Sequence, residues 1–230
     1  MSESRGFLTG NQLKLIAAGA MLADHVGLMF FPEAELLRII GRLAFPIFAF
    51  MIAEGCKYTR NKLRYFLQLF GLALACQIVY FIADGSMYLS VLFTFSLSVL
   101  TIFSLQYCKA KPKALPVLLF VTVVAAVYIL NEIFTIDYGF GGCMLPVFAA
   151  ALHRTRFDRY PLNIAMLALG LLLLWLALGG WQLYAFAALP LLLCYSGKRG
   201  KGKMKYFFYI FYPTHLVVLE GIAMLMQHFK

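Results

Sequence analysis

Charge is what this chain has least of. Only 13% of its 230 residues are Asp, Glu, Lys or Arg, and ten of those are acidic. A soluble domain is about 25% charged and roughly 45–50% apolar, whereas here 63% of residues are hydrophobic and the mean hydropathy is +0.83. An ordinary soluble fold is therefore excluded, and an all-α, polytopic membrane protein is expected. The five cysteines (Cys56, Cys76, Cys108, Cys143, Cys194) are odd in number, scattered and never paired at a metal-like spacing. Neither a disulfide framework nor a zinc site follows from them, no metal is expected, and they read as small apolar side chains in helices. The stretch Met1–Gly10 holds Glu3 and Arg5 but has no compact basic region leading into a short apolar core and a small-residue cleavage site. No cleaved signal peptide is expected, so the first apolar run stays as a span. The chain also lacks repeats, linkers and low-complexity segments, and reads as a single integral membrane domain over 1–230.

At about 20 residues per crossing plus short loops, the length allows roughly eight to ten helices. Breaks at Gly, Pro and charge give about nine, at 13–31, 39–56, 63–83, 89–107, 115–131, 140–152, 161–179, 181–196 and 205–227. The sixth is too short to cross comfortably and predicts a tilted or re-entrant piece starting at the Gly-rich turn Gly139–Gly142. The pair Gly179-Gly180 reads equally as a kink within one long element.

The net charge of +10 could suggest nucleic acid. Its placement says otherwise: sixteen of the twenty basic residues sit in Arg5 and in the loops after spans two, four, six and eight, from Lys57 and Arg60 to Lys203 and Lys205. The alternate loops carry mainly Glu33, Glu35, Asp84, Glu132 and Asp137, with Arg38 and Lys230 as their basic residues. By the positive-inside rule the N-terminus and basic loops are cytoplasmic and the C-terminus is outside, which suits an inner (cytoplasmic) membrane protein in contact with lipid; nucleic-acid binding is not expected. The basic stretch Gly197–Lys205 faces lipid headgroups or contacts the phosphates of a cytoplasmic cofactor.

Five ionisable residues fall inside the first two apolar spans: Lys14, Asp24 and His25, then Arg42 and Glu54. A charge in hydrocarbon costs a few kcal/mol or more, so such a cluster reads first as a functional site. Lys14 and His25 are eleven residues apart, about three turns, hence on one helix face about 16 Å from each other. Asp24 points about 100° away from His25, and Arg42, at similar depth, is its expected partner. Glu54 lies at the depth of Lys14, where it either pairs with that lysine at the inner mouth or caps a loop end. Phe45 and Pro46 are expected to break the second span and open a cavity beside the charges. His215, after Tyr212 and Pro213 in the last span, is a second histidine at mid-depth. His153 and His228 lie at membrane boundaries and receive no role. Asp137 orients an acceptor or ends a helix.

The ordered set Gln12-Leu-Lys14, Asp24-His25, Gly41-Arg42-Leu-Ala-Phe-Pro46, Glu54-Gly55, Asp137-Tyr-Gly, Tyr195-Ser-Gly-Lys-Arg199 and Phe211-Tyr-Pro-Thr-His215 spans nearly the whole chain. In it the chain resembles the TraX family of membrane proteins, whose founding member acetylates conjugative pilin, and more distantly the membrane acyltransferases that O-acetylate sugars. The Lys, ten residues, His spacing is also similar to the first-helix motif of that larger group, where the basic residue and the histidine belong to the acyl-CoA site. The resemblance implies an enzyme that takes acetyl-CoA from the cytoplasm, with Lys14 and Arg199 meeting its phosphates and Glu54 near the same mouth. His25 would then act as general base on a hydroxyl or amine, Asp24 would orient the site directly or through Arg42, and Arg42 or His215 would stabilise the oxyanion. The acceptor could be a protein such as pilin, a glycan or a lipid. Two other classes stay open: a proton- or anion-coupled carrier using the same residues, and a non-catalytic membrane subunit.

Overall fold

The computed structural model describes residues 6–201 and 204–228. Arg5, Lys203 and Lys230, counted above for sidedness, lie outside the described residues, as do the side chains of Asp84, Lys205 and His228. The fold is all-α: α1 (Gly10–Phe30), α2 (Glu35–Gly41), α3 (Ala44–Tyr58), α4 (Lys62–Asp84), α5 (Val91–Ala110), α6 (Ala114–Ile133), α7 (Gly139–Ala150), α8 (Tyr160–Leu178), a 3-10 helix (Gly180–Ala187), α9 (Ala188–Leu193) and α10 (Lys205–His228). Among the described residues seven helical stretches are long and apolar enough to cross a membrane, with α2 and α3 counting as one stretch, Glu35–Tyr58. The chain is a multi-pass membrane protein. The sixth and eighth apolar runs fall on two shorter apolar pieces, Gly139–Ala150 and Gly180–Leu193.

The helix breaks follow from local chemistry. Pro46 does not interrupt a span from within; the chain breaks ahead of it, at Arg42 and Leu43, so that the proline sits in the first turn of α3, where its missing N–H is not needed. Gly179 and Gly180 both take positive φ (65° and 49°), which ends α8 and starts a new element rather than kinking one helix. The eight residues that follow rise about 2.0 Å each as a 3-10 helix, so Gly180–Leu193 covers about 25 Å, more than an α-helix of that length reaches.

Two compact units emerge from the contacts: Met1–Phe48 with Gly179–Lys230, and Ala49–Leu178. In the second unit α5 is flanked by α4, α6 and α7, and α7 packs on α8. Along α5, Thr94 Oγ1 donates to the carbonyl of Asp137 (2.6 Å) and Ser98 Oγ to that of Cys143 (2.7 Å), while Lys109 Nζ reaches the carbonyl of Ala150 (3.4 Å). The twelve-residue α7 therefore runs beside α5 from one end to the other, enclosed by protein through Gly142, Cys143, Leu145, Pro146, Val147, Ala149 and Ala150. Small and hydroxyl-bearing residues allow this close approach.

The same contacts give the unit two distinct ends. At one, Arg154 Nη2 donates to the carbonyl of Lys57 (2.8 Å), and Lys57 Nζ pairs with Asp158 (2.9 Å). At the other, Leu89 and Ile136 form a bridge and Tyr88 Oη donates to Asp137 (2.8 Å). Lys57, Lys109 and Arg154 thus gather at one end and Asp137 at the opposite one, as the loop charges require if α7 counts as a crossing. In the first unit, Leu8 bridges to Tyr195, so α1 and the loop leading to α10 start at a common end.

Candidate functional site

The first unit builds its site from the start of α1 upward. Thr9 and Gln12 form a reciprocal cap: Gln12 N–H donates to Thr9 Oγ1 (3.3 Å) and Thr9 N–H to Gln12 Oε1 (2.8 Å). The next two donors are taken by the 194–201 loop, with Gly10 N–H on the carbonyl of Lys198 (2.8 Å) and Asn11 N–H on that of Arg199 (2.9 Å). Asn11, itself buried, also donates from Nδ2 to the carbonyl of Lys201 (3.1 Å). Gly200, at φ +91°, is tied to this fold, since a Cβ there would come within 2.8 Å of Thr9 Oγ1. The loop is pinned over the mouth of α1, and it holds Arg199 within electrostatic reach of Lys14.

Two turns and more above Lys14 lies Asp24. Arg42 Nη2 donates to both of its oxygens (2.7 and 2.8 Å), and Arg38 Nη1 adds a contact at 3.0 Å. Arg42 is buried at the break between α2 and α3, a position that aims its side chain back at α1. Gly41 makes the approach possible, because a Cβ there would stand 2.3 Å from that of Asp24. Gly27 does the same against Leu37, at 2.8 Å. An ion pair with little solvent contact holds only with such geometry.

His25 and His215 meet edge to face, with ring centroids 5.1 Å apart. Each ring is anchored to its own helix: His25 Nδ1 to the carbonyl of Met21 (2.7 Å) and His215 Nδ1 to that of Phe211 (2.9 Å). A carbonyl oxygen only accepts, so each Nδ1 carries the proton, and in the neutral ring each Nε2 keeps its lone pair. His215 is buried, and its Nε2 has no hydrogen-bond partner among the described residues. Phe211 stacks on the His215 ring at 4.9 Å, and Phe211 and Tyr212 pack on the Ala20, Met21 and Ala44 cluster. These contacts fix both rings before any ligand arrives.

The second unit holds His153, which sequence reasoning left without chemistry. His153, 1% exposed, faces Glu54 with Nε2 3.7 Å from Oε1, too far for a hydrogen bond. Burial, reinforced by Lys57, Lys109 and Arg154 against the opposing Asp158, pushes the His153 imidazole down to about 4. Burial also works to raise the Asp158 carboxyl, but hydrogen bonds from Asn163, the Arg154 N–H and Lys57 outweigh it and bring it to about 2. His153 starts from 6.5 when unfolded, so its neutral form adds stability that is complete above pH 6.5 and is lost as pH falls towards 4. At about 1.4 kcal/mol per pKa unit the loss is about 3 kcal/mol. Unfolding in detergent between pH 7 and pH 4 should show it in the wild type and much less in His153→Leu; equal losses would assign the acid sensitivity to other groups.

The motif residues of the first unit thus lie in sequence order on α1, on the break after α2 and on α10, and the chain matches the family model described as “TraX protein” over residues 9–223. This chain belongs to the TraX family. Within its 94% coverage by “Probable fimbrial assembly protein FimC, serogroup H1” of Dichelobacter nodosus it is 30% identical to that protein over 255 residues, 96% of the relative. It is also 44% identical over 52 residues to “Uncharacterized protein RP591” of Rickettsia prowazekii (strain Madrid E), covering 23% of this chain and 21% of that one. No solved structure gives a significant match. In this TraX-family chain the structure brings Asp24 to Arg42, His25 to His215 and Lys14 into reach of Arg199, and it sets Glu54 in the second unit beside His153. Arg38 was counted as a loop charge. Its signal was its spacing: Arg38 and Arg42 are four residues apart and so share a helix face.

Proposed function

We propose that this chain is a membrane-embedded acyltransferase that moves an acetyl group from cytoplasmic acetyl-CoA to a hydroxyl or amine of an envelope acceptor, with His25 as general base. The observation that carries the reading is the His25–His215 pair at 5.1 Å, each ring held by Nδ1 so that Nε2 remains a lone-pair base. Lys14 and Arg199, at the mouth of the same unit, supply the cations that a CoA phosphate needs. His25 takes the acceptor proton as the acceptor oxygen or nitrogen bonds to the thioester carbonyl. The C–S bond then breaks, and the proton passes to the departing CoA thiolate. In its Nδ1–H form a neutral His215 offers no donor, so it stabilises an oxyanion only when protonated. The inner membrane, with the N-terminus and basic loops cytoplasmic, is the location that this donor requires. The name of the Dichelobacter relative makes pilin-type proteins the first acceptors to test. A carrier built on the same residues is the weaker reading, because arginines already hold both oxygens of Asp24.

Calorimetry with acetyl-CoA on purified, folded protein tests the donor half. Binding is expected in the wild type, and Lys14→Ala should weaken it at least about tenfold, the worth of a charge-assisted contact. Folded protein that takes up no acetyl-CoA would end the acyltransferase reading.

A further inference from the structure

All ten lysines and arginines of 49–178 fall in the segments 57–64, 109–113 and 154–159, with Asp158 as the one carboxylate among them. These segments meet at the basic end of the second unit, where Arg154 reaches the Lys57 carbonyl and Lys109 that of Ala150. Asp158 is already engaged: it accepts from Lys57 Nζ, from Asn163 Nδ2 and from the Arg154 N–H, each at 2.9 Å. Lys62 and Arg154 lie within electrostatic reach of each other. Neither side chain forms an ion pair with a carboxylate among the described residues.

Both cations are placed in advance. Lys62 Nζ sits 5.1 Å over the Phe103 ring of α5. Arg154 keeps φ at +61°, a costly value for a residue with a side chain, while its N–H bonds Asp158 and its guanidinium bonds the Lys57 carbonyl. Lys62 also opens α4, whose first turn has no acidic residue, so the positive end of the helix dipole adds to the two charges.

We infer that this corner binds an anionic phospholipid, with its phosphate between Lys62 and Arg154 and its chains along Tyr58 and Leu63. The inference is independent of the acyltransferase reading. Charge complementarity sets the sign of the ligand, because two fixed cations without carboxylate partners suit a phosphate. Depth sets its source. Tyr58 closes the apolar stretch Glu35–Tyr58 and Lys62 opens Lys62–Ile82, so the corner stands where hydrocarbon meets headgroups. Tyr58 and Leu63, 68% and 67% exposed, put a ring and an aliphatic side chain beside the cations. A ligand with an anionic head and apolar chains satisfies both surfaces, whereas a soluble phosphate would leave the apolar one bare.

Native mass spectrometry of the full-length protein in detergent, titrated with dioctanoyl phosphatidylglycerol or phosphatidylcholine, tests this. The wild type should bind the first phosphatidylglycerol at least about tenfold more tightly than phosphatidylcholine, and Lys62→Gln or Arg154→Gln should each remove most of that preference. The double variant should lose little more than either single one, since both side chains hold one phosphate. Lys113→Gln should leave the preference unchanged, because Lys113 precedes α6, which packs on α5 and α7. Should Arg154→Gln fail to fold, Lys62→Gln decides alone, with Lys62→Arg expected to keep the preference. Additive losses, with Lys113→Gln as costly as Lys62→Gln, would mark diffuse surface charge and overturn the inference. Equal binding of the two lipids overturns it as well. So does phosphatidylglycerol displaced by millimolar inorganic phosphate, which would assign the corner to a soluble anion.

Discussion

Replacing His25 with alanine should lower kcat for acetyl transfer by roughly 10²–10⁴-fold, the usual worth of a positioned general base, while acetyl-CoA affinity stays at its wild-type value. The separation follows from the proposed reading, in which the nucleotide part binds at Lys14, about 16 Å along α1 from His25 and so away from the imidazole. His25→Gln should be as inactive as His25→Ala, because an amide cannot take a proton. His215→Ala should cost less on its own, and the double variant should cost less than the product of the two, since residues in ring contact do not act independently. Mass spectrometry of acceptors from cells making each variant, combined with calorimetry on the purified protein, checks this. Full acetylation with His25→Ala would take the base role away from this residue.

The helical class and the multi-pass membrane character could be read from the sequence because they depend on long runs of apolar residues. The breaks were harder. Pro46 marked the second span correctly as interrupted, but a proline is most comfortable in a first turn, so the interruption moved ahead of it to Arg42 and Leu43. Hydropathy cannot tell a 3-10 helix from an α-helix, and only the two positive-φ glycines at 179–180 hint that a new element starts there.

Within the site, legibility tracked sequence distance. The Asp24–Arg42 pair could be inferred because both residues sit in adjacent antiparallel spans at matched depth. Arg38 escaped because hydropathy placed it in a loop, although it shares a helix face with Arg42. The Glu54–His153 contact joins residues almost a hundred positions apart, and no spacing in the chain announces it. His215 beside His25 falls between these cases. The sequence placed both histidines at mid-depth, but their ring contact, the stacking on Phe211 and the carbonyl anchors that set the tautomer belong to three-dimensional packing.

Asp24→Ala should be among the most damaging single changes to the fold. It leaves the Arg42 and Arg38 guanidiniums without the carboxylate that now contacts both, and breaking one side of a buried pair typically costs about 3–5 kcal/mol. Arg42→Ala should cost less, because Arg38 still reaches Asp24 at 3.0 Å. The asymmetry is the diagnostic feature, since a simple two-residue bridge would penalise both changes alike. In a cycle of Asp24→Ala, Arg42→Ala and the double variant, followed by unfolding in mixed micelles, the coupling should exceed about 1 kcal/mol. Adding Arg38→Ala to Arg42→Ala should raise the loss to that of Asp24→Ala, because the half-buried carboxylate is then left without either arginine. Additive losses across the cycle would mean that the carboxylate and the two arginines do not hold α1 and α2 together, and the rigid placement of His25 one residue further along α1 would need another source.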